Sequence, residues 1–187
     1  MENLSRRHFL TLGSGAACSL LVPAPAFSLI LPKSLTCRVL NLHNTHTGEF
    51  FRGPYWEKGH YIPSAMRKLN HFLRDWRTGD VQAIDPRLVD LVHSLKLKLG
   101  YTQAMDVICG YRSPKTNLML ARKSRGVAKK SLHVLGKAID IRFPGRVLKN
   151  AHKAACSFRA GGVGLYSKAQ DCFIHMDVRE RAVYWGA

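Results

Sequence analysis

Apolar and polar residues alternate over short runs in the C-terminal half of the chain, and this alternation predicts β-strands. Two runs carry polar side chains at inner positions: "AIDIRF" at 138–143 and "FIHMDV" at 173–178. Alternation turns Asp140 away from the isoleucines of the first run, and it turns His175 and Asp177 away from the aliphatic residues of the second. If the two strands are neighbours, Asp140 and His175 come together.

Helical spacing predicts two amphipathic helices in the N-terminal half. The first lies within "IPSAMRKLNHFLRDWR", and its apolar face consists of Met66, Leu69, Leu73 and Trp76. The second begins at the capping pair Asp85–Pro86 and ends at Gly100. Helices early and short strands late predict an α+β fold, with a small, mainly antiparallel sheet and flanking helices.

The first 26 residues have the layout of an export signal. Arg6 and Arg7 precede a weakly apolar run, and "SRRHFL" resembles a twin-arginine motif. Small-x-small sequences allow cleavage after Ala26 or Ser28. An uncleaved N-terminal helix is the alternative. We expect a periplasmic protein with no transmembrane span once 1–26 is removed.

Charge narrows the choice of partner. The chain carries 29 Lys and Arg against 12 Asp and Glu, a net charge of +17, which favours a polyanionic partner. For an exported protein we expect a carboxylate-rich cell-wall peptide or an anionic membrane surface as the partner. We expect no nucleic acid, because aromatic stacking motifs are missing. In the basic run at 122–130, Lys129 and Lys130 are candidates for holding those carboxylates; a solvated loop is the alternative.

Four cysteines follow the predicted signal: Cys37, Cys109, Cys156 and Cys172. None forms a CxxC pair, which excludes a zinc ribbon, and their three possible disulfide pairings stay open. Cys109 and Cys156 lie in apolar surroundings typical of small buried residues.

Two imidazoles and one carboxylate are a ligand set that suits Zn²⁺. His133 precedes Asp140 by seven residues, and His175 reaches the same place if the strands are neighbours. Three protein ligands leave a position for a water whose pKa the metal lowers to about 7. The spacing alone has little specificity, because Asp140 could instead pair with Arg142 or Lys137.

Longer sequence blocks are more specific. "SLHVLGKAID" fits S-x-H-x-x-G-x-A-x-D, and together with "HMD" it resembles the LAS group of zinc peptidases, which comprises lysostaphin-like enzymes, D-Ala-D-Ala metallopeptidases and hedgehog-like domains. Blocks that resemble the MepK-type branch of murein endopeptidases are "NLHNTHTGE", "KLNHFLRDWR", "GYRSPKTN", "RSRGVAKKSLH", "RAGGVGLY" and the ending R-x-x-x-W. The resemblance covers residues 38 to 185.

The resemblance implies a hedgehog/D-Ala-D-Ala-peptidase-like domain over 35–187 that binds one Zn²⁺. The implied ligands are His133, Asp140 and His175. Gly136 and Ala138 would allow close packing between the first two ligands.

Arg112 matches an arginine that faces the developing oxyanion in such enzymes. A cation is favourable there because charge grows on the carbonyl oxygen; a surface salt bridge is the alternative. Ser131 is a candidate for substrate binding or for a helical or turn cap.

The general base is the open point. Many relatives carry Glu or Asp three residues before the last histidine, or His two residues before it, and here Cys172 and Phe173 occupy those positions. Asp177 is the first candidate base, with orientation of a ligand imidazole as its alternative role. Asp171 is a further candidate for the general base.

The sequence therefore predicts a zinc-dependent murein endopeptidase that hydrolyses peptide cross-links of peptidoglycan with metal-activated water. Bonds between two diaminopimelate residues (3-3) are the favoured substrate, and D-Ala–diaminopimelate bonds (4-3) are a further one. A D,D-carboxypeptidase and a non-catalytic zinc-bearing cell-wall-binding protein are the alternatives, the latter because the usual base is missing.

Overall fold

A computed structural model of the protein describes residues 37–123, 127–128, 130–167 and 172–186. The predicted export signal lies outside these residues, as do Lys129 and Asp171. None of the helices in the described ranges is both long and apolar enough to cross a membrane.

Strands account for much of the described chain and form one sheet. They are β1 (Cys37–Asn44), β2 (Phe50–Glu57), β3 (His60–Tyr61), β4 (Met105–Cys109), β5 (Ala138–Arg142), β6 (Gly162–Tyr166), β7 (Phe173–Asp177) and β8 (Val183–Trp185). Their spatial order is β3-β2-β1-β4-β5-β7-β6-β8. Five of the neighbouring pairs run antiparallel, whereas β1–β4 and β6–β8 run parallel.

Four α-helices accompany the sheet: α1 (Pro63–Phe72), α2 (Pro86–Lys98), α3 (Pro114–Lys123) and α4 (Leu148–Cys156). A 3₁₀ turn spans Leu132–Leu135. The Asp85 side chain caps α2 by accepting a 3.0 Å hydrogen bond from the Arg87 N–H, as predicted. Apolar residues of α1, α2 and α4 join one buried cluster with the aliphatic residues of β5 and β7.

The α+β class and the predominance of antiparallel pairs are confirmed. The prediction of a small sheet is wrong, since eight strands take part and two of the pairings are parallel. The parallel pairing of β1 and β4 requires a long connection. The segment between these strands contains α1 and α2, which return the chain to the end of the sheet where β1 begins. β8 lies parallel to β6 because the intervening β7 reverses the chain direction.

The first predicted helix is too long. α1 ends at Phe72, and Trp76 lies beyond it with 40% of its surface exposed, although Leu69 and Leu73 are buried as expected. Asp75 ends the helical pattern because its carboxylate accepts hydrogen bonds from the backbone N–H groups of the turn and of Ser113. Such side-chain bonds to the backbone compete with helix continuation.

Candidate metal centre

Strand register brings the predicted polar residues together. β5 and β7 are neighbours, and Asp140 lies directly opposite His175. On the other side of β5, Ile139 and Ile141 are buried in the core. The sheet therefore meets the condition that strand alternation required, with the core on one face and Asp140 and His175 on the other.

His133 reaches this face from the 3₁₀ turn. The Ser131 hydroxyl caps the turn by accepting the His133 N–H at 3.3 Å. Gly136 ends the turn with φ of +65°, and a Cβ there would lie 2.3 Å from the Ala83 carbonyl oxygen. Only glycine fits this close approach, so the packing expected at Gly136 is confirmed.

Three ligand atoms converge on one point. His133 Nε2 lies 3.2 Å from His175 Nδ1 and 3.3 Å from Asp140 Oδ1, and the latter two atoms are 2.9 Å apart. Bonds of about 2.0–2.1 Å at tetrahedral angles would separate zinc ligands by about 3.3 Å. His133 is only 3% exposed and Asp140 only 5%. The spacing therefore fits a metal the size of zinc.

Hydrogen bonds on the far side of each imidazole decide which nitrogen carries the proton. His133 Nδ1 lies 2.7 Å from the Gly110 carbonyl oxygen, which only accepts, so this nitrogen donates. His175 Nε2 donates to Asp177 Oδ2 at 3.1 Å. Each ring then directs a lone pair to the shared point, where Asp140 adds a carboxylate oxygen. The three lone pairs then meet at one point, which a metal cation can fill and which a proton shared between His133 and Asp140 fills in its absence.

Titration of the buried pair points the same way. Burial raises the pKa of Asp140, but the charge and hydrogen bonds of His133 and His175 lower this pKa by more than burial raises it. The pKa of Asp140 therefore lies well below its usual range. Burial lowers the pKa of His133, whereas Asp140 and the Cys109 thiol raise it well above 6.5. The cluster thus stabilises a positive charge beside the Asp140 carboxylate.

Asp177 lies beneath His175 and is fully buried. Its carboxylate accepts the Gly162 N–H at 2.8 Å and the Arg179 N–H at 3.1 Å, and it pairs with the Arg179 guanidinium. Burial raises the pKa of Asp177, but bonds from His175 and Arg179 lower it well below its usual range. The geometry supports imidazole orientation over the base role, because Gly162 and Arg179 hold the carboxylate away from the cavity.

A cavity of about 210 Å³ opens beside the converging atoms. Besides the three converging residues, its lining includes Arg112, Lys130, Ser131, Tyr166, Phe173 and Trp185. Lys130, one of the two candidate lysines, is exposed and lines this cavity. A larger cavity, about 740 Å³, lies between β2 and α1 and contains none of the predicted site residues. We assign the chemistry to the smaller cavity because it holds the converging ligand atoms.

Arg112 points into the site and is not a surface residue. Its Nη2 lies 3.9 Å from Asp140 Oδ2 and 3.5 Å from Cys109 Sγ, and its Nη1 lies 3.4 Å from Asn117 Oδ1. Its buried Nε has no hydrogen-bond partner among the described residues. These long contacts leave donor capacity for an anionic oxygen in the cavity.

The aromatic wall of the cavity was not foreseen. The Trp185 ring lies 5.3 Å from the His175 ring, and its Nε1 donates to the Tyr166 hydroxyl at 3.1 Å. Tyr166 stacks on Phe173 at 4.7 Å. Gly164 makes room, since a Cβ there would lie 2.4 Å from the indole. Alternation could have placed Phe173 beside His175, but no local signal brings Trp185 to it.

Cys109 differs from the sequence expectation of an inert buried residue. Cys109, His133 and Asp140 each offer one potential ligand atom, all within 4.8 Å of one another. The thiols of Cys37, Cys109 and Cys156 are free, so no disulfide joins any two of these three.

Comparison with known proteins identifies the family. The family model described as Peptidoglycan L,D-endopeptidase MepK matches residues 33–183. Peptidoglycan L,D-endopeptidase MepK of Escherichia coli (strain K12) is 43% identical over 174 residues, which cover 92% of this chain and 93% of the relative. A Haemophilus influenzae protein named "Probable peptidoglycan L,D-endopeptidase MepK" is 39% identical over 175 residues, 92% of this chain and 91% of its own. No solved structure gives a significant match. With its near-complete coverage, the chain belongs to the Peptidase_M15_2 family and is a peptidase.

Proposed function

We propose that the protein is a zinc-dependent murein endopeptidase that hydrolyses the peptide cross-links of peptidoglycan. The observation that carries the proposal is the convergence of three potential metal-ligand atoms, His133 Nε2, His175 Nδ1 and Asp140 Oδ1, within 3.3 Å of one another. Two imidazoles and one carboxylate form a known catalytic zinc ligand set with one position left for water. The names of the two relatives supply the substrate class.

Cross-link preference follows from the stereochemistry in those names. An L,D-endopeptidase cleaves a bond between an L-centre and a D-centre. A 3-3 cross-link joins the L-centre of one diaminopimelate to the D-centre of the next, whereas a 4-3 cross-link joins two D-centres. We therefore favour 3-3 cross-links as the substrate and rank 4-3 cross-links second.

His133, Asp140 and His175 would hold the zinc, which supplies a Lewis acid and a water of lowered pKa. The protein's own groups fix the ligands. The Gly110 carbonyl keeps the proton of His133 on Nδ1, and Asp177 keeps the proton of His175 on Nε2. Both imidazoles are thus held in the tautomer that directs a lone pair inwards.

Arg112 stabilises the reaction's developing charge in this proposal. Negative charge grows on the carbonyl oxygen of the scissile bond as water attacks, and the Arg112 guanidinium faces the cavity where that oxygen would lie. The stacked rings of Tyr166 and Phe173, with the Trp185 indole hydrogen-bonded to Tyr166, line one side of the cavity.

Basic and hydroxyl groups at the rim would hold the substrate. Lys130 and Ser131 line the cavity, and Lys129 is the adjacent residue in the sequence. Stem peptides carry free carboxylates, which these ammonium groups would bind. Among the described lining residues Asp140 is the only carboxylate, so we assign no separate general base.

We also propose export to the periplasm by the twin-arginine route. "SRRHFL", the weakly apolar run and the small-x-small sequences near residue 26 support it. Peptidoglycan, the substrate named for the relatives, lies outside the cytoplasmic membrane, which agrees with export.

The test is digestion of defined muropeptides by wild type and His133→Ala, with bound zinc measured on both. We expect wild type to split 3-3-linked dimers, and His133→Ala to lose its zinc and at least about 1,000-fold of the rate. His60→Ala is the matched control, because the imidazole of this exposed histidine is hydrogen-bonded to the Lys58 carbonyl oxygen and is not among the residues that line the cavity. It should retain zinc and activity.

Other outcomes separate the alternatives. Trimming of monomeric pentapeptides without dimer cleavage would indicate a D,D-carboxypeptidase. Binding of one zinc and of sacculi, with no peptide released from any substrate, would indicate a non-catalytic wall-binding protein. Equal activity of wild type and His133→Ala would refute the metal centre.

A further inference from the structure

Cys109 lies at the end of β4, in the same row of the sheet as two of the converging residues. Register pairs Cys109 with Asp140 across β4 and β5, and it pairs Asp140 with His175 across β5 and β7. Residues directly opposite each other on adjacent strands share a face. Three adjacent strands thus present three potential metal ligands to one side of the sheet.

A bulge in β4 gives Cys109 this direction. Val107 pairs with the core residue Ile141, but the next pair joins Cys109 to Asp140, so Ile108 is an extra residue in β4. Without the bulge, alternation would turn Cys109 to the same side as Val107. Bulges recur beside functional sites, where they re-aim a side chain.

The thiol lies near the converging atoms. Potential ligand atoms of Cys109, His133 and Asp140 lie within 4.8 Å of one another. A tetrahedral zinc with one sulfur and one nitrogen ligand would hold those two atoms about 3.6 Å apart. Rotation of the Cys109 side chain is the adjustment that brings its sulfur to this separation. Arg112 Nη2, 3.5 Å from the sulfur, favours the thiolate form that metals bind.

We propose that Cys109 is a fourth ligand that thiophilic cations such as Cd²⁺ recruit, so that one centre has an open three-ligand state and a closed four-ligand state. This inference rests on the proposed metal centre. Binding replaces the S–H bond with a sulfur–metal bond, and the thiol proton passes to solvent. Soft cations prefer thiolate, whereas zinc with three ligands keeps a position for water. The closed state leaves no such position.

Metal exchange on the full-length protein tests the proposal. Cd²⁺ and Zn²⁺ affinities are measured by chelator competition, and thiolate coordination is measured as an ultraviolet sulfur-to-cadmium charge-transfer band. We expect this band in wild type and expect it to be lost in Cys109→Ser, with Cd²⁺ affinity lowered at least about tenfold. Zn²⁺ affinity should stay close to that of wild type.

Cys156→Ala is the matched control, because the Cys156 sulfur also lies beside a histidine, 3.6 Å from His152 Nε2, but on α4 and not among the residues that line the cavity. It should keep the band and the Cd²⁺ affinity of wild type. A band that persists in Cys109→Ser, or equal Cd²⁺ affinities of the two proteins, would overturn the inference. Failure of the metal centre itself looks different: His133→Ala would then bind both cations as wild type does.

Discussion

Two clusters on opposite halves of the sheet are built around a carboxylate with similar neighbours. Asp90 of α2 accepts Arg38 Nη1 at 2.7 Å, the Tyr55 hydroxyl at 2.8 Å and the Tyr61 hydroxyl at 2.6 Å. Asp140 of β5 instead faces one nitrogen each of His133 and His175, and an arginine 3.9 Å away. In the Asp90 cluster three separate donors reach one carboxylate, whereas in the Asp140 cluster two nitrogens and one carboxylate oxygen converge on a single point that a proton or a metal cation can fill.

The difference distinguishes a structural cluster from a binding site better than burial or charge does. Burial and Asp90 raise the pKa of Tyr61 to about 12, so this phenol remains a donor at physiological pH and the Asp90 cluster stays complete. At the centre of the Asp140 cluster, a metal cation can replace the proton that His133 otherwise holds beside the carboxylate. The two arginines, Arg38 and Arg112, offer a direct test of this reading.

Replacing Arg112 should have the largest effect among the tests of this contrast. Arg112→Ala removes the cation beside the cavity, and kcat/KM on 3-3-linked dimers should fall about 100- to 1,000-fold, the usual effect of losing an oxyanion donor. Arg38→Ala is the matched control. Its partly exposed ion pair should cost about 1 kcal/mol or less of stability and leave kcat/KM close to wild type. Equal loss of activity in both variants would remove the distinction between the clusters.

Asp177→Asn should have a smaller effect, through the metal. The amide no longer fixes the His175 tautomer, so zinc affinity should fall about 10- to 100-fold by chelator competition. Excess zinc should then restore most of kcat, and the unfolding midpoint of the metal-free protein controls for structural damage. Unchanged zinc affinity, with a low kcat and a lost acidic limb of the pH–rate profile, would instead establish Asp177 as the general base.

Asp90→Asn should have the smallest effect on catalysis and act on stability. Burial raises the pKa of Asp90, but hydrogen bonds from Tyr61, Arg38 and Tyr55 lower this pKa by more than burial raises it. The pKa of Asp90 therefore lies below its usual value. A carboxyl with a depressed folded-state pKa stabilises the fold above its unfolded pKa of about 3.9, and that stabilisation is lost as pH falls further. Urea unfolding at pH 7 should show a loss of about 1–3 kcal/mol in the variant.

The same measurement at lower pH sharpens this prediction. The stability difference between wild type and Asp90→Asn should shrink as pH falls below about 4, while zinc content and kcat/KM at pH 7 stay unchanged. A difference that grows towards acid would mean that Asp90 is not ionised in the folded protein.

Strand alternation was sufficient to predict the face of each polar residue on β5 and β7. A period of two leaves little freedom once the isoleucines of 138–143 must face the core. The adjacency of β5 and β7 was a condition that sequence alone could not supply, because strands so far apart in sequence can pair in several orders. Hence spacing indicated the candidate ligands, and the sequence resemblance named them.

Features created by irregular backbone or by distant strands were missed. The bulge at Ile108 leaves no local signature, so nothing in the sequence indicated that Cys109 shares a face with Asp140. Trp185 contacts His175 only because β8 pairs with β6 next to β7. The direction of Asp177 was anticipated, but the burial of its carboxylate depends on Arg179 and on the Gly162 N–H, which lies 15 residues away in sequence.

The end of α1 and the metal centre share a chain of backbone contacts. The Leu73 carbonyl oxygen accepts the Tyr111 N–H at 2.7 Å, and the neighbouring Gly110 carbonyl holds His133. A ligand that binds only the folded state stabilises every segment whose opening would break its site. Metal binding should therefore slow amide exchange at Tyr111 and in the last turn of α1, although α1 supplies none of the ligands. The stability of α1 would then depend on metal binding, through the carbonyl groups of Leu73 and Gly110.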